Sequence, residues 1–418
     1  MSLRIVRLAN FVTPGSGGLR TALRELGAGY LAAGHEPVLV VPGERHEERE
    51  TGQGLVVTLP GPVLPGSGGY RVLADRARLR RLLDDLAPDR IEVSDRTTLR
   101  WTGEWARRAR VPAVMVSHET ADGVLRTWGV PAAPARRIAD SLNSRTAHAY
   151  ARVVCTTAWA EREFRRIGAR NVVRAPLGVD LARCRPQLWD AGVRERHARV
   201  EEVLLVLCSR LSVEKRPGVA LDCLEELGER GVRARLVVAG DGPLRGRLER
   251  RAHARALPVT FLGHVADRAE LAALQATADV CLAPGPAETF GLAALEALAC
   301  GTPVVVSAVS ALPEVVGVEV VGVDGADGAG SGGGSAEAGA AALGGAGFAD
   351  AVQALLDRPE GERRRAARAR AEVFGWDRSV AAFLAAHDAP AVARVPDGRE
   401  WPAAEVSADV RVGARGAV

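Results

Sequence analysis

Lysine is nearly missing from this 418-residue chain: among 55 basic residues, only Lys215 is not arginine. An excess of charge of either sign is also lacking. The 55 basic side chains face 51 acidic ones, a balance that gives no reason to expect nucleic acid as a partner. Cysteines are few, at 155, 184, 208, 223, 281 and 300, and none forms a Cys-x-x-Cys pair. Disulfide and metal frameworks are therefore not expected, and a reduced, cytoplasmic setting fits best. No apolar run approaches the ~20 residues that span a bilayer, and the first residues read as a strand rather than a signal peptide. A Walker loop with Lys-Ser/Thr and a Gly-x-Ser-x-Gly elbow are both absent, so P-loop and serine-hydrolase chemistry lack their motifs.

What is present is alternation. The length exceeds what one core sustains, so two domains are the default. Short apolar runs at residues 3–9, 37–41, 90–94, 113–117 and 153–156 alternate with helical patterns such as 18–34, 98–109 and 136–150. After residue 180 the text turns polar, and a second alternation starts at 203 with strands at 203–209, 234–239, 259–262, 280–283 and 304–307. Such order predicts an α/β fold of two Rossmann-like domains, each a parallel sheet covered by helices. The expected boundaries are a first domain at 1–180, a linker at 181–202 and a second domain at 203–375, followed by a helix at 376–387 and a loosely ordered tail at 388–418. Residues 322–346 are almost wholly Gly, Ala, Ser and acid, and read as a flexible surface insertion.

The densest chemical signal lies at 284–303. A strand ends in a Pro/Gly loop containing Glu288, a helix starts near Gly291, and Glu296 follows about two turns on. The amides of Phe290, Gly291 and Leu292, after Thr289, are helix-start donors suited to an anion, and Gly291 allows close approach to the backbone. A second segment, 209–217, follows a strand and offers Arg210, a planar fork, and Lys215, a point charge. A lone lysine in so arginine-rich a chain suggests that arginine does not serve there.

With these blocks the sequence resembles the GT-B-fold retaining glycosyltransferases of family 4, marked by Glu288-x7-Glu296 and by the Arg210…Glu214-Lys215 segment. The resemblance extends from Arg4 to about His387. It implies a two-domain architecture with the active site in the cleft, the acceptor on the first domain and the nucleotide sugar on the second. Glu288 then contacts the donor sugar, Glu296 the ribose, and Arg210 and Lys215 the diphosphate. Negative charge grows on the leaving oxygen as the glycosidic bond breaks, and fixed cations there stabilise the transition state.

The resemblance also implies that the glycine loop at 13–20, with Gly17 and Gly18, approaches the donor phosphates. His118, after the strand ending at Ser117, lies near the reacting sugar. Gly240 and Gly242 border the donor, and Gly263, His264 and Val265 lie near the nucleobase, largely through backbone groups. Arg20 stands where a dinucleotide fingerprint has its third glycine, which weakens a reading as an NAD site. Two departures from the family pattern are the Ser310-Ala311-Leu312-Pro313-Glu314 stretch, without paired glycines, and Leu177 in place of the usual asparagine.

No Asp-x-Asp occurs, so neither a metal nor another cofactor is expected. The resulting expectation is a metal-independent, retaining hexose transfer from a nucleotide sugar, with GDP-mannose first and UDP-sugars next. The acceptor is a glycan, lipid or small molecule. Basic stretches at 71–81 and 136–137 are read as solvated faces, with peripheral contact to an anionic membrane at its inner face as the alternative. A nucleotide-sugar epimerase and a catalytically silent nucleotide-sugar-binding partner are the competing readings.

Overall fold

The computed structural model describes residues 2–12, 17–64, 69–127, 129–320 and 334–388. The first half runs β1 (Arg4–Leu8), α1 (Gly18–Ala32), β2 (Glu36–Gly43), β3 (Glu47–Thr51), β4 (Gly54–Pro60), α2 (Arg76–Leu86), β5 (Arg90–Val93), α3 (Trp101–Ala109), β6 (Ala113–Ser117), α4 (Ala121–Thr127), α5 (Ala132–Ala149), β7 (Arg152–Cys155), α6 (Ala158–Arg166) and β8 (Val172–Arg174). Its sheet has the order β3-β4-β2-β1-β5-β6-β7-β8. Only β3 and β4 pair antiparallel, as a hairpin at one edge. The exposed Glu-Glu-Arg-Glu of β3 puts charge on that edge, which discourages further strand pairing.

The second half runs α7 (Ala191–His197), β9 (Val203–Cys208), α8 (Gly218–Glu229), β10 (Ala234–Ala239), α9 (Arg245–Ala254), β11 (Val259–Gly263), α10 (Arg268–Thr277), β12 (Val280–Ala283), α11 (Leu292–Ala299), β13 (Val304–Ser307), α12 (Leu312–Val316), β14 (Gly334–Ala336), β15 (Gly339–Ala342), α13 (Gly344–Leu356), α14 (Glu360–Ala371) and α15 (Trp376–Ala386). Its sheet order is β11-β10-β9-β12-β13-β15-β14. Strands such as β9, Val-Leu-Leu-Val-Leu-Cys, are covered on both faces, which is why they read as continuous apolar runs instead of alternating ones. In each sheet the strand order reverses direction next to the first strand, between β1 and β5 and between β9 and β12. Ligands of such sheets bind outside the carboxyl ends of the strands at that point.

Two expectations from the sequence need correction. Residues 334–346 of the supposed insertion are not a loop: they form β14, β15 and the start of α13, and β15 pairs parallel with β13 inside the sheet. Residues 321–333 and the tail beyond 388 lie outside the described residues. The segment 181–202, expected as a linker, contains α7, with Asp190 accepting from the amide of Val193 at its start.

The chain crosses between the halves twice, and the two crossings touch. Val179 donates to Phe374 O at 2.7 Å and pairs with Gly375 as a parallel bridge. Gly178 has no room for a side chain there, because a Cβ would sit 2.7 Å from the backbone of Trp376. From that point α15 returns to the first half and packs on α1. Arg90 and Arg152 donate to the carbonyls of His387, Ala385 and Ala386 at its end. Beneath it lies a buried polar cluster in which Glu92 accepts from Arg7 at 2.9 Å and Tyr30 at 2.7 Å and meets His387 Nε2 at 3.2 Å. Among the described residues, no helix is long and apolar enough to cross a membrane.

Candidate active site

The loop after β9 and the loop after β12 lie side by side at the switch point of the second sheet. Lys215, from the first loop, donates through Nζ to Glu288 Oε1 of the second, and both side chains are partly exposed. Gly285 sits under this pair, 3.4–3.5 Å from Lys215 Cα and Glu288 Cγ as measured from its missing Cβ position. Cys208, Ser209, Ala283, Pro284 and Gly291 complete the hollow around them. Two residues the sequence places 73 apart thus meet because parallel strands β9 and β12 are neighbours.

Arg210 leaves the same loop toward the first half. Its guanidinium donates to the Tyr70 hydroxyl at 2.6 Å and stands 5.1 Å from the centre of that ring, while Phe11 packs edge-on to Tyr70. Tyr70 carries no motif, and nothing in the sequence singles it out.

Gly291 is the N-cap of α11 at φ +77°, a left-handed conformation that favours glycine. Its absent side chain is replaced by Leu312, whose Cδ2 lies 2.1 Å from where a Cβ would be. The turn and the packing of α12 by themselves require glycine here. Ala294 and Leu295 donate to the Gly291 carbonyl, which leaves the amides of Leu292 and Ala293 as the orphan donors of the helix start. The Phe290 side chain is buried against Phe374, so only its backbone is available to a ligand.

Across the cleft, exposed Gly17 and Gly18 begin α1, and Gly18 faces Leu292 Cδ1 at 3.9 Å from its Cβ position. Two helix N-termini thereby converge, each favouring negative charge. Residues 13–16 of the glycine loop lie outside the described residues.

Glu296 lines an open cleft between the halves, with Thr21, Arg24, Asp180, Arg183 and Arg268 among its walls. Burial pushes its carboxyl above the ordinary value, and Arg268, Arg183 and Arg24 pull against that. Arg268 bridges the halves: it meets Glu296 at 3.3 Å and donates to Thr21 Oγ1 at 2.8 Å. Arg268 and Thr21 were not evident from the sequence.

His118 caps the carboxyl end of β6 and hydrogen-bonds Ser94 Oγ at 3.1 Å. Burial lowers its imidazole to about 4, so the ring is neutral at pH 7. Its loop is held by Arg96, which donates to Ser117 Oγ, the Glu119 carbonyl and Asn143 and pairs with Glu163. Glu163 in turn accepts the amides of Ala121 and Asp122 at 2.9 Å each, fixing the start of α4. Burial raises Asp122 to about 6, helped by its hydrogen bond to Glu163.

Gly240 and Gly242 lie against the backbone of the 209–211 loop, with Cβ positions 1.8 Å from Ser209 O and 2.5 Å from Leu211 O. They let that loop sit close to the end of β10. Gly263 is buried, His264 exposed and Val265 packed against the core.

A family model described as "Glycosyl transferases group 1" matches residues 193–328, and one described as "Glycosyl transferase 4-like domain" matches residues 17–178. The chain is 49% identical over 391 residues to a GDP-mannose-dependent alpha-(1-6)-phosphatidylinositol dimannoside mannosyltransferase of Mycobacterium tuberculosis, covering 93% of this chain and 97% of the relative. A D-inositol 3-phosphate glycosyltransferase of Xylanimonas cellulosilytica is 35% identical over 298 residues, covering 67% of this chain and 66% of the relative. Among solved structures, a sucrose-phosphate synthase of Thermosynechococcus elongatus has the same fold, with a TM-score of 0.71 at 20% identity over 92% of this chain and 98% of that one. The HepE protein of Anabaena in complex with UDP and glucose matches with a TM-score of 0.66 at 18% identity, over 92% of this chain and 99% of that one. The paired Rossmann-like sheets and the Glu288–Lys215 cleft thus sit in a chain that belongs to the GT-B group 1 glycosyltransferases of family 4, enzymes that move a sugar from a nucleotide sugar to an acceptor.

Proposed function

We propose that this chain transfers mannose from GDP-mannose to a hydroxyl of a phosphatidylinositol mannoside, retaining the anomeric configuration and needing no metal. The observation that carries the reading is the 49% identity, over nearly the full length of both chains, to a mannosyltransferase named for that donor and acceptor.

The site residues support the chemistry. Lys215, Arg210 and the Leu292 and Ala293 amides give the departing diphosphate a fixed positive field. Glu288, beside Lys215, is assigned to the donor sugar, and Glu296, deeper in the cleft, to the ribose. His118, neutral, serves as a hydrogen-bonding group near the reacting carbon. The donor diphosphate itself assists removal of the acceptor proton. The first domain holds the acceptor and the second the nucleotide. A lipid-borne acceptor requires approach to a membrane surface, and the basic faces of α2 and α5 are the surfaces proposed to make it.

The test is a transfer assay with radiolabelled GDP-mannose and phosphatidylinositol dimannoside in detergent, run beside UDP-glucose and ADP-glucose. A mannosylated lipid formed from GDP-mannose alone is the expected result. Transfer from a UDP-sugar instead, or none at all, overturns the donor assignment.

A further inference from the structure

Three hydrogen bonds between the two halves meet at one residue, Thr289, beside Glu288. Its carbonyl accepts from Thr157 Oγ1 at 2.9 Å and from Thr156 Oγ1 at 3.4 Å, and its own hydroxyl donates to the His118 carbonyl. Next to Thr157, the amides of Ala158 and Trp159, the first residues of α6, donate to the Glu314 carboxylate at 2.9 Å and 3.3 Å. A carboxylate on a helix start is favoured twice, by the unpaired donors and by the helix dipole. Glu314 belongs to α12, and the turn before α12 supports the other side of the same loop, with the Ala311 amide donating to the Glu288 carbonyl at 3.0 Å.

We propose that Thr157 and Glu314 are positioning residues that set the Glu288–Thr289 loop when the two domains dock. The bonds of Thr156, Thr157, His118 and Glu314 each have one partner in each half, so these form together on docking and break together on opening, while the Ala311 bond stays within the second half. Neither residue lines the cleft around Glu288 or Glu296. The same contacts hold His118 and Glu288 in a common register, because Thr289 joins the carbonyl of one to the chain of the other. Docking therefore completes the site: an open molecule keeps its nucleotide contacts on the second domain but loses the placement of Glu288 relative to His118. The proposal rests on the reading of Glu288 and His118 as groups at the reacting sugar.

The test uses the full chain with Thr157→Val, Thr157→Ser and Glu314→Ala. Thr157→Val and Glu314→Ala are expected to lower kcat about tenfold, the size of a typical coupling between sites. Affinity for GDP by calorimetry stays within about twofold of wild type, which also shows that the second domain is folded. Thr157→Ser, which keeps the hydroxyl, recovers the rate lost in Thr157→Val. Unchanged kcat in Thr157→Val and Glu314→Ala overturns the proposal, as does a fall in GDP affinity that matches the fall in kcat. Small-angle X-ray scattering of the free proteins gives a readout independent of the donor. Glu314→Ala is expected to be more extended than wild type, and identical profiles overturn the docking role. A wild-type enzyme inactive with GDP-mannose refutes the donor assignment instead, and leaves the scattering result to decide this proposal.

Discussion

Lys215 Nζ and Glu288 Oε1 are hydrogen-bonded to each other, so the only lysine of the chain and the loop carboxylate partly neutralise one another. On the proposed reading a donor diphosphate competes with Glu288 for that ammonium, and the sugar takes up the released carboxylate. Glu288→Gln is therefore expected to keep GDP affinity or raise it, while transfer falls roughly 100-fold. Lys215→Ala lowers transfer by a similar factor and weakens GDP binding as well. Calorimetry beside single-turnover rates separates the two. Wild-type transfer by Glu288→Gln would mean that the reacting centre lies elsewhere.

The Arg210–Tyr70 contact predicts a graded response. Tyr70→Phe keeps the ring under the guanidinium and loses the hydroxyl acceptor, so KM for the donor changes less than about threefold. Tyr70→Ala removes both and raises KM further, because Arg210 loses its support before it meets the diphosphate. Equal KM values for Phe and Ala variants would show that the ring plays no part.

Metal should be dispensable. Transfer is expected to persist in excess EDTA, since the positive field comes from Arg210, Lys215 and helix-start amides. Complete loss restored by Mg2+ or Mn2+ would refute the metal-free mechanism.

His118 gives a pH prediction with a definite sign. Its folded value of about 4 lies below the ordinary 6.5, so between these values the unfolded chain binds more protons than the folded one. Its contribution to stability is complete above pH 6.5 and is lost as the pH falls toward 4. Proton NMR of the ring should show a midpoint near 4, and the kcat profile from pH 6.5 to 8 should carry no ionisation that vanishes in His118→Gln. A midpoint near 6.5 would contradict the neutral assignment.

The buried cluster under α15 should matter for stability rather than chemistry. Arg7, Glu92 and His387 are each 2% exposed or less. Glu92→Ala leaves the Arg7 charge without its carboxylate and is expected to cost about 3–5 kcal/mol. Urea unfolding followed by circular dichroism measures this, and a shift under 1 kcal/mol would show that Arg7 finds another partner.

Much of the fold was legible because strands buried on both faces write themselves as apolar runs, as β9, β10 and β13 do. β15, Gly-Ala-Ala-Ala, was unreadable for the opposite reason: packing demands small residues there. A Cβ on Gly339 would meet Val304 O at 2.2 Å, so the strand carries the composition of a linker. The β3–β4 hairpin was missed because β3 is exposed along its length and shows no period. Of the proposed site residues, Glu288, Glu296, Arg210 and Lys215 stood out in the sequence by spacing within short segments. Tyr70, Thr21, Thr157 and Glu314 did not, since each acts on a partner between 132 and 247 residues away that only the docked halves bring near.

The paired crossings at Val179 and Gly375 limit how the two halves can move. One strand of chain between two bodies permits swivel in any direction; two adjacent strands tied by the 2.7 Å Val179–Phe374 bond act as a pin. Rotation about the pin remains soft, while twisting and sliding strain both strands at once. In the proposed opening this pin favours one direction of movement, which carries the Thr289 loop away from His118.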